Sequence, residues 1–236
     1  MPATIVAAPQ IEEADALLSG FVRGGMPVEE MQVGRLQCAY VPVLDVLVAV
    51  AGNGKAQFAV QTQHLIERCP DARLLVCVGA AGRLVDVLET GDVVVATATI
   101  EHDYKERFVP EPLPFFEADA EALVRVRQAA AQSAFPFRVT FGRIASGDED
   151  VVGARRAAQV RAATSAVCVA WEGGGGARAA RFNGIGFLEI RVITDAADEH
   201  AAKSFHDNVR TVMLNAAQLI TVWQLQERVA SGGSSS

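Results

Sequence analysis

The chain has 236 residues and a formal net charge of -7, and half of its residues are hydrophobic. An acidic chain without a cluster of lysines and arginines is unsuited to nucleic acid, whose phosphates need a basic face. No apolar run approaches the ~20 residues that span a bilayer, and the N-terminus lacks the pattern of a secretory signal. The sequence therefore predicts a cytoplasmic protein that binds neither nucleic acid nor membrane.

Length and patterning favour one α/β domain over residues 1–230, with 231–236 as a disordered tail or a remnant of cloning. Alanine, valine and leucine predominate over aromatic residues, which is typical of helices packed on a buried parallel sheet. The cysteines stand singly, without the paired spacing of a zinc site or a disulfide framework. We therefore expect buried, reduced thiols at Cys38, Cys69, Cys77 and Cys168.

In the first half of the chain, apolar runs alternate with amphipathic segments. The periodicity predicts strands at 4–8, 33–40, 43–51, 73–78 and 93–98, and helices at 11–18 and 56–68. Gly52-Asn53-Gly54-Lys55 follows a strand, and its glycines let backbone approach a ligand, although the spacing is not that of a P-loop. The small residues from Gly79 to Gly82 likewise leave room at a strand end.

The second half begins with an irregular apolar loop at 105–116, of a kind that covers a pocket or a neighbouring subunit. Strands are then predicted at 137–144, 166–170 and 188–193, and helices at 118–133, 154–163 and 203–229. His102-Asp103 precedes the loop without an elbow serine or a second pair of ligands. Structural polar packing is therefore favoured there over metal or triad chemistry.

Acidic side chains stand where several predicted strands end. Asp195 and Glu172 each follow a strand, and Glu12 and Glu13 open the helix after the first strand. The ligand crevice of an open α/β sheet lies past the carboxyl ends of its strands, so these acids are candidates for catalysis. Simpler roles stay open: Asp195 as the N-cap of the next helix, and the two glutamates as compensation for the helix dipole.

Short motifs follow one another along nearly the whole chain: Glu12-Glu13, Gly52-Asn53-Gly54-Lys55, Gly79-Ala80-Ala81-Gly82-Arg83-Leu84, Gly91-Asp92-Val93-Val94-Val95, His102-Asp103, Ser146-Gly147-Asp148, Trp171-Glu172 and Thr194-Asp195-Ala196-Ala197-Asp198. Their order resembles the nucleoside phosphorylase superfamily, and within it the 5'-methylthioadenosine/S-adenosylhomocysteine nucleosidases. The combination is far more specific than any single motif.

The resemblance implies a single α/β domain with a mixed, partly barrelled β-sheet flanked by helices, assembled as a homodimer. It also implies hydrolysis of the N-glycosidic bond of a purine nucleoside, which releases the free base and a ribose derivative. The expected partner is a small nucleoside, and neither a cofactor nor a metal is expected.

The resemblance also implies roles for individual residues. Asp195 would protonate N7 of the base, and Glu172 would bind the ribose hydroxyls. Glu13 or, one step earlier, Glu12 would take a proton from the attacking water. The other substrate-binding positions that it implies are Asn53, Ala81, Gly82, Asp150, Val151, Trp171 and Phe205, the last beside the sugar or its 5' side.

Some residues depart from the nucleosidase pattern. Glu149-Asp150-Val151 stands where that pattern has an aromatic that stacks on adenine, and such stacking is worth about 1–3 kcal/mol per base. Trp171 stands where the family prefers methionine and would supply a flat surface or fill space, whereas Arg83 takes a place that is commonly glycine. The base and the 5' substituent therefore stay open.

The choice of nucleophile depends on cations near the glycine turns. Neither Gly52-Asn53-Gly54 nor the turn from Gly79 to Gly82 contains an arginine, so water is favoured over phosphate. Two alternatives remain: a phosphate-dependent nucleoside phosphorylase, with Arg83 as its possible anion ligand, and a non-catalytic nucleoside-binding protein on the same fold.

Overall fold

The computed structural model describes residues 2–106, 108 and 111–232. Its strands are β1 (Thr4–Ala8), β2 (Glu29–Val33), β3 (Leu36–Val41), β4 (Val46–Val50), β5 (Leu74–Arg83), β6 (Val93–Glu101), β7 (Phe115–Glu117), β8 (Val139–Ser146), β9 (Cys168–Ala170) and β10 (Gly186–Asp195). Its helices are α1 (Ile11–Arg23), α2 (Gly54–Arg68), α3 (Ala120–Gln132), α4 (Ala154–Thr164), α5 (Gly173–Asn183) and α6 (Ala201–Gly232). None of the helices in these ranges is both long and apolar enough to cross a membrane.

The strands form one mixed sheet that closes partly on itself. β5 runs parallel to β10, β10 runs antiparallel to β6, and β6 connects through the parallel β8 and β9 back to β5. From this ring, β5 also pairs with β1, which leads through β4 and β3 to β2. The predicted α/β domain with a mixed, partly barrelled sheet is confirmed.

Helices cover both faces of the sheet. Alternate residues of a strand point to opposite faces, so Val6 of β1 joins the cluster under α1 and α6, whereas Ile5 and Ala7 join the cluster under α2 and α5. On α6, Trp223 is almost completely buried in the first cluster. Because both faces are covered, the central strands consist of nearly continuous apolar residues.

Helix α5 begins with four glycines because other groups occupy the space where side chains would lie. A Cβ on Gly175 would lie 2.2 Å from the carbonyl oxygen of Lys55. A Cβ on Gly176 would lie 3.0 Å from the rings of both Phe58 and Phe187. The glycines thus let α5 pack directly against α2 and the sheet, and this helix was not predicted from the sequence.

Other differences from the prediction concern element boundaries. The strand predicted at 33–40 breaks at Gly34, whose φ of +58° forms the turn between β2 and β3. The strand predicted at 73–78 continues to Arg83, because β10 pairs with it as far as Gly82. The four cysteines are free and buried, as predicted.

Two predicted segments lie partly outside the described residues. The irregular loop at 105–116 includes residues 107, 109 and 110, which are outside them, and its last residues belong to β7. Of the tail predicted at 231–236, the first two residues extend α6, and residues 233–236 lie outside the described ranges. The domain division at residue 230 stays a prediction.

Candidate active site

A cavity of about 360 Å³ opens where β1, β5 and β10 end. These strands are parallel, so their carboxyl ends share one edge of the sheet, where ligands bind in this class of fold. Nearly all of the predicted site residues line it, namely Glu13, Asn53, Ala81, Gly82, Asp150, Val151, Trp171, Glu172, Asp195 and Phe205. Glu12 is the exception.

Glu13 is buried in the first turn of α1 and extends to the end of β5. Its Oε1 accepts a hydrogen bond from the backbone N–H of Ala80 at 2.7 Å, and its Oε2 accepts one from the N–H of Gln10 at 2.9 Å. Gln10 and Glu13 form a capping box, which fixes the glutamate in the first turn. Burial raises the pKa of Glu13 from 4.5 to about 7, although these hydrogen bonds oppose the shift.

Glu12 points away from the cavity. Its Oε1 lies 3.2 Å from a terminal nitrogen of Arg210 on α6, and its side chain is 41% exposed. Successive residues of a helix are about 100° apart, so α1 directs only one of the two glutamates toward β5. This placement corrects the inclusion of Glu12 among the catalytic candidates and leaves Glu13.

Asp195 reaches the cavity through an irregularity in β10. The register with β5 shifts between Ile193 and Asp195, and a bulge of this kind re-aims the side chain that follows it. The carboxylate accepts hydrogen bonds from the backbone N–H of Ala197 at 2.9 Å and the hydroxyl of Thr194 at 2.8 Å. Burial raises the pKa of Asp195 above its usual range, against these hydrogen bonds. A carboxyl in such a site can retain a proton for donation.

The alternative role of Asp195 as a helix N-cap is wrong. Helix α6 begins at Ala201, and Asp195 instead binds the backbone two residues further on. A Cβ on Gly82 would lie 2.7 Å from Asp195 Oδ1, so glycine at this position makes room for the carboxylate.

Glu172 is held from two sides where β9 leads into α5. Its Oε1 accepts a hydrogen bond from the backbone N–H of Gly54 at 3.2 Å, and its Oε2 lies 3.2 Å from a terminal nitrogen of Arg191. Gly54 has a φ of +77°, which favours glycine, so the Gly52-Asn53-Gly54 turn presents backbone to the site. Asn53 in the same turn lines the cavity.

Arg191 is the main residue of the site that sequence reasoning missed. Its side chain lines the cavity and is 1% exposed, with Nε 2.8 Å from Glu189 Oε1. Burial disfavours its charge, but Cys77, Glu189, Glu172 and Glu13 together outweigh burial and raise the pKa of Arg191 well above its usual value. A signal existed: opposite charges two residues apart share one face of a strand and predict a buried ion pair.

The cavity also has aromatic and acidic surfaces. Trp171, Phe205 and His206 line it, and the rings of the last two meet edge-on with centroids 5.4 Å apart. Glu149 and Asp150 also line it, and Arg156 binds both oxygens of Glu149 at 2.6 Å. Acids thus line the cavity at the stretch where the nucleosidase pattern has a stacking aromatic.

His102 and Asp103 lie outside this cavity, as structural packing predicts. Asp103 accepts hydrogen bonds from Lys55 and from the backbone N–H of Asp148. His102 is buried under Gly147, where a Cβ would lie 2.4 Å from its Nε2. Among the residues that the structure describes, no group of three His, Cys, Asp or Glu side chains is arranged to hold a metal ion.

A family model described as the phosphorylase superfamily matches residues 3–223. The chain belongs to the phosphorylase superfamily. The resemblance predicted from the motifs is therefore confirmed. A 5'-methylthioadenosine/S-adenosylhomocysteine nucleosidase from Exiguobacterium is 30% identical over 190 residues, which cover 77% of this chain and 80% of that protein.

Solved structures match the fold over almost its full length. The nucleosidase of the same name from Neisseria meningitidis, in complex with methylthio-immucillin-A, has a TM-score of 0.82 and 26% identity, covering 96% of this chain and 100% of that one. Futalosine hydrolase from Helicobacter pylori has a TM-score of 0.81 and 23% identity, covering 95% and 97%. The second likeness concerns the fold alone.

Proposed function

We propose that this protein hydrolyses the N-glycosidic bond of a purine nucleoside, as its nucleosidase relatives are named for doing, and releases the free base and a ribose derivative. One observation carries the proposal: Glu13, Glu172 and Asp195, from three separate elements, line a single cavity. The reaction needs a proton for the base, a stabilised cationic sugar and a deprotonated water. Each of the three carboxyl groups can perform one of these tasks.

Asp195 acts as the general acid. Departure of the purine leaves negative charge on the base, and proton donation to N7 neutralises it. Burial supports this role because it favours the protonated form of Asp195. The residue needs no metal to donate its proton.

Glu172 binds the ribose. Its two oxygens are fixed by Gly54 and Arg191, which leaves the remaining lone pairs to accept hydrogen bonds from the 2' and 3' hydroxyls. A carboxylate held in place also stabilises positive charge as it develops on the sugar.

Glu13 acts as the general base toward water. It binds the N–H of Ala80 on β5, and Asp195 packs against Gly82 on the same strand. Two residues along a strand span about 7 Å, which leaves room for a reacting carbon and a water between the acid and the base. A base with a pKa of about 7 is well matched to neutral pH.

Water is favoured over phosphate as the nucleophile by the charge of the cavity. Five acidic side chains line it, those of Glu13, Glu149, Asp150, Glu172 and Asp195. Arg191 is already paired with two acids, and Arg83, the possible phosphate ligand, instead donates to the carbonyl of Leu88 at 2.5 Å. Phosphate would meet these acids with little compensation.

We further propose a cytoplasmic homodimer. Support for the dimer comes from exposed aromatic residues around the predicted loop, where Phe108 is 97% exposed and Tyr104 and Phe115 are partly exposed. Exposed aromatic side chains on one segment are typical of a surface that another subunit covers.

The test is to incubate the purified protein with a panel of purine nucleosides that vary in base and 5' substituent, with and without phosphate, while base release is followed. We expect release that does not depend on phosphate. Release that requires phosphate and yields a ribose 1-phosphate would establish a phosphorylase. Tight binding without release, unchanged by Asp195→Asn, would establish a binding protein.

A further inference from the structure

A further buried acid, Glu189, lies behind the proposed catalytic acids. Glu189 lies within β10, is 0% exposed and does not line the cavity. Its Oε1 accepts a hydrogen bond from Arg191 Nε at 2.8 Å, and its Oε2 accepts one from the hydroxyl of Thr99 on β6. An isolated charge in such a place is strongly destabilising, so this pairing is what makes a carboxylate possible there.

Helix α5 is shaped around the same carboxylate. A Cβ on Gly173 would lie 2.1 Å from Glu189 Oε2, so a larger residue at the start of α5 would displace the acid. The helix N-terminus carries partial positive charge, which favours an anion next to it. The absence of a side chain at Gly173 therefore keeps Glu189 in contact with the helix end and with Arg191.

Arg191 connects Glu189 to the proposed catalytic groups. Besides Glu189, it binds Glu172, and its third nitrogen donates to the carbonyl of Ala80 at 3.3 Å. A Cβ on Gly79 would lie 2.6 Å from that nitrogen and 2.8 Å from Glu13 Oε1, so arginine and Glu13 face each other across this glycine. One cation is thus shared among three carboxyl groups.

We propose that Glu189 is a positioning residue for the hydrolysis: it fixes Arg191 through Nε and takes up part of its charge, so that Arg191 orients Glu172 without fully compensating Glu13. This inference rests on the proposed function. The groups that face Glu13 include Arg191, Glu172, the thiol of Cys77 and the backbone N–H groups of Ala80 and Gln10, and Arg191 also faces Cys77.

The consequence for Glu13 follows from the balance of charge. If Arg191 compensated only Glu172 and Glu13, the ionised form of Glu13 would be favoured and the residue would be a weaker base. Burial and the charge of Glu172 raise the pKa of Glu13 to about 7, against the charge of Arg191. Glu189 pairs with Arg191 and so removes part of the compensation that Arg191 gives to Glu13.

The test is Glu189→Gln. A glutamine oxygen can accept from Arg191 Nε and its amide can donate to the Thr99 hydroxyl, so both contacts are retained while the charge is lost. We expect the acidic limb of the kcat/KM profile to move to lower pH by about one unit, because loss of a nearby negative charge favours ionised Glu13. A folded variant whose acidic limb stays in place would overturn the inference.

Glu101→Gln is the matched control. Like Glu189, Glu101 is buried against the glycines at the start of α5, next to Gly174. Unlike Glu189, it pairs with Arg178, and it lies outside the cavity. Its substitution should leave the acidic limb unmoved. If both variants shift the limb equally, Glu189 has no specific role.

Titration of Glu13 by carboxyl ¹³C NMR in the ligand-free protein provides a readout that does not depend on turnover, with the signal assigned by its loss in Glu13→Gln. If the wild type releases no base, the proposed function fails, and this titration still decides whether Glu189 acts on Glu13. Should Glu189→Gln not fold, Thr99→Val removes the hydrogen bond that holds Glu189 Oε2, so that Glu189 is less firmly positioned against Arg191. The Glu13 midpoint should then move in the same direction by less. An unmoved midpoint in that variant would refute the coupling.

Discussion

Replacing Asp195 by asparagine removes the proposed acidic proton but keeps the hydrogen bonds that hold the side chain in place. The amide oxygen can still accept from the N–H of Ala197, now at 2.9 Å. The hydroxyl of Thr194, which donates to Asp195, also lies 3.4 Å from the carbonyl of Ala81, so it can turn its hydrogen there and accept from the new amide. With both contacts retained, we expect the free energy of unfolding to change by less than about 1 kcal/mol.

Catalysis should respond very differently from stability. General acid catalysis contributes about 10²- to 10⁴-fold, so loss of the proton donor should raise the activation free energy by about 2.7–5.4 kcal/mol. The assay is base release under saturating nucleoside, with thermal unfolding measured on the same samples. Asp198→Asn is the control, because Asp198 binds the N–H of His200 and lies outside the cavity. A folded Asp195→Asn variant with the wild-type rate would show that Asp195 is not the acid.

The other acids and the glycine beside Asp195 give further predictions. For the wild type, kcat/KM should fall as the pH drops below about 7, because protonated Glu13 cannot accept a proton. Glu13→Gln should lower the rate by about 10²- to 10⁴-fold and remove this acidic limb of the pH profile. Glu172→Gln should weaken transition-state binding of ribosides by about 1.5–3 kcal/mol and reduce discrimination against 2'-deoxyribosides, and wild-type kinetics on both sugars would contradict its role. Gly82→Ala should lower the rate by about 10²-fold because its Cβ would lie 2.7 Å from Asp195 Oδ1; an unaffected rate would mean that the carboxylate position is not critical.

Those parts of the site that depend on strand ends could be predicted from the sequence. Asp195 and Glu172 each follow a short apolar run. β10, which ends at Asp195, runs parallel to β1 and β5, so the carboxyl ends of these strands share one edge of the sheet. β9, which precedes Glu172, runs antiparallel to β5 but ends at the same cavity. The structure places both there, together with Asn53 from the turn after β4. What a residue does at that edge is a separate matter, and the individual roles remain proposals.

The choice between Glu12 and Glu13 could not be made from the sequence, since both suit the first turn of a helix. It depends on how α1 rotates against β5, which is set by the packing of Leu17 and Phe21 in the core and by the capping box at Gln10. A rotation of one residue would exchange the two glutamates. Tertiary packing decides this, and no local pattern reports it.

Helix α5 could not be predicted from the sequence for a related reason. Glycine is about 1 kcal/mol less favourable than alanine at each interior helix position, so four in succession do not predict a helix. α5 nevertheless forms there because methyl groups would collide with Glu189 at Gly173, with Glu101 at Gly174 and with the Lys55 backbone at Gly175. Close packing overrides the local preference. The residues that make α5 unpromising as an isolated helix are the ones that let two buried acids lie against its N-terminus. The composition of α5 is therefore explained by the charged groups beneath it and not by helix stability.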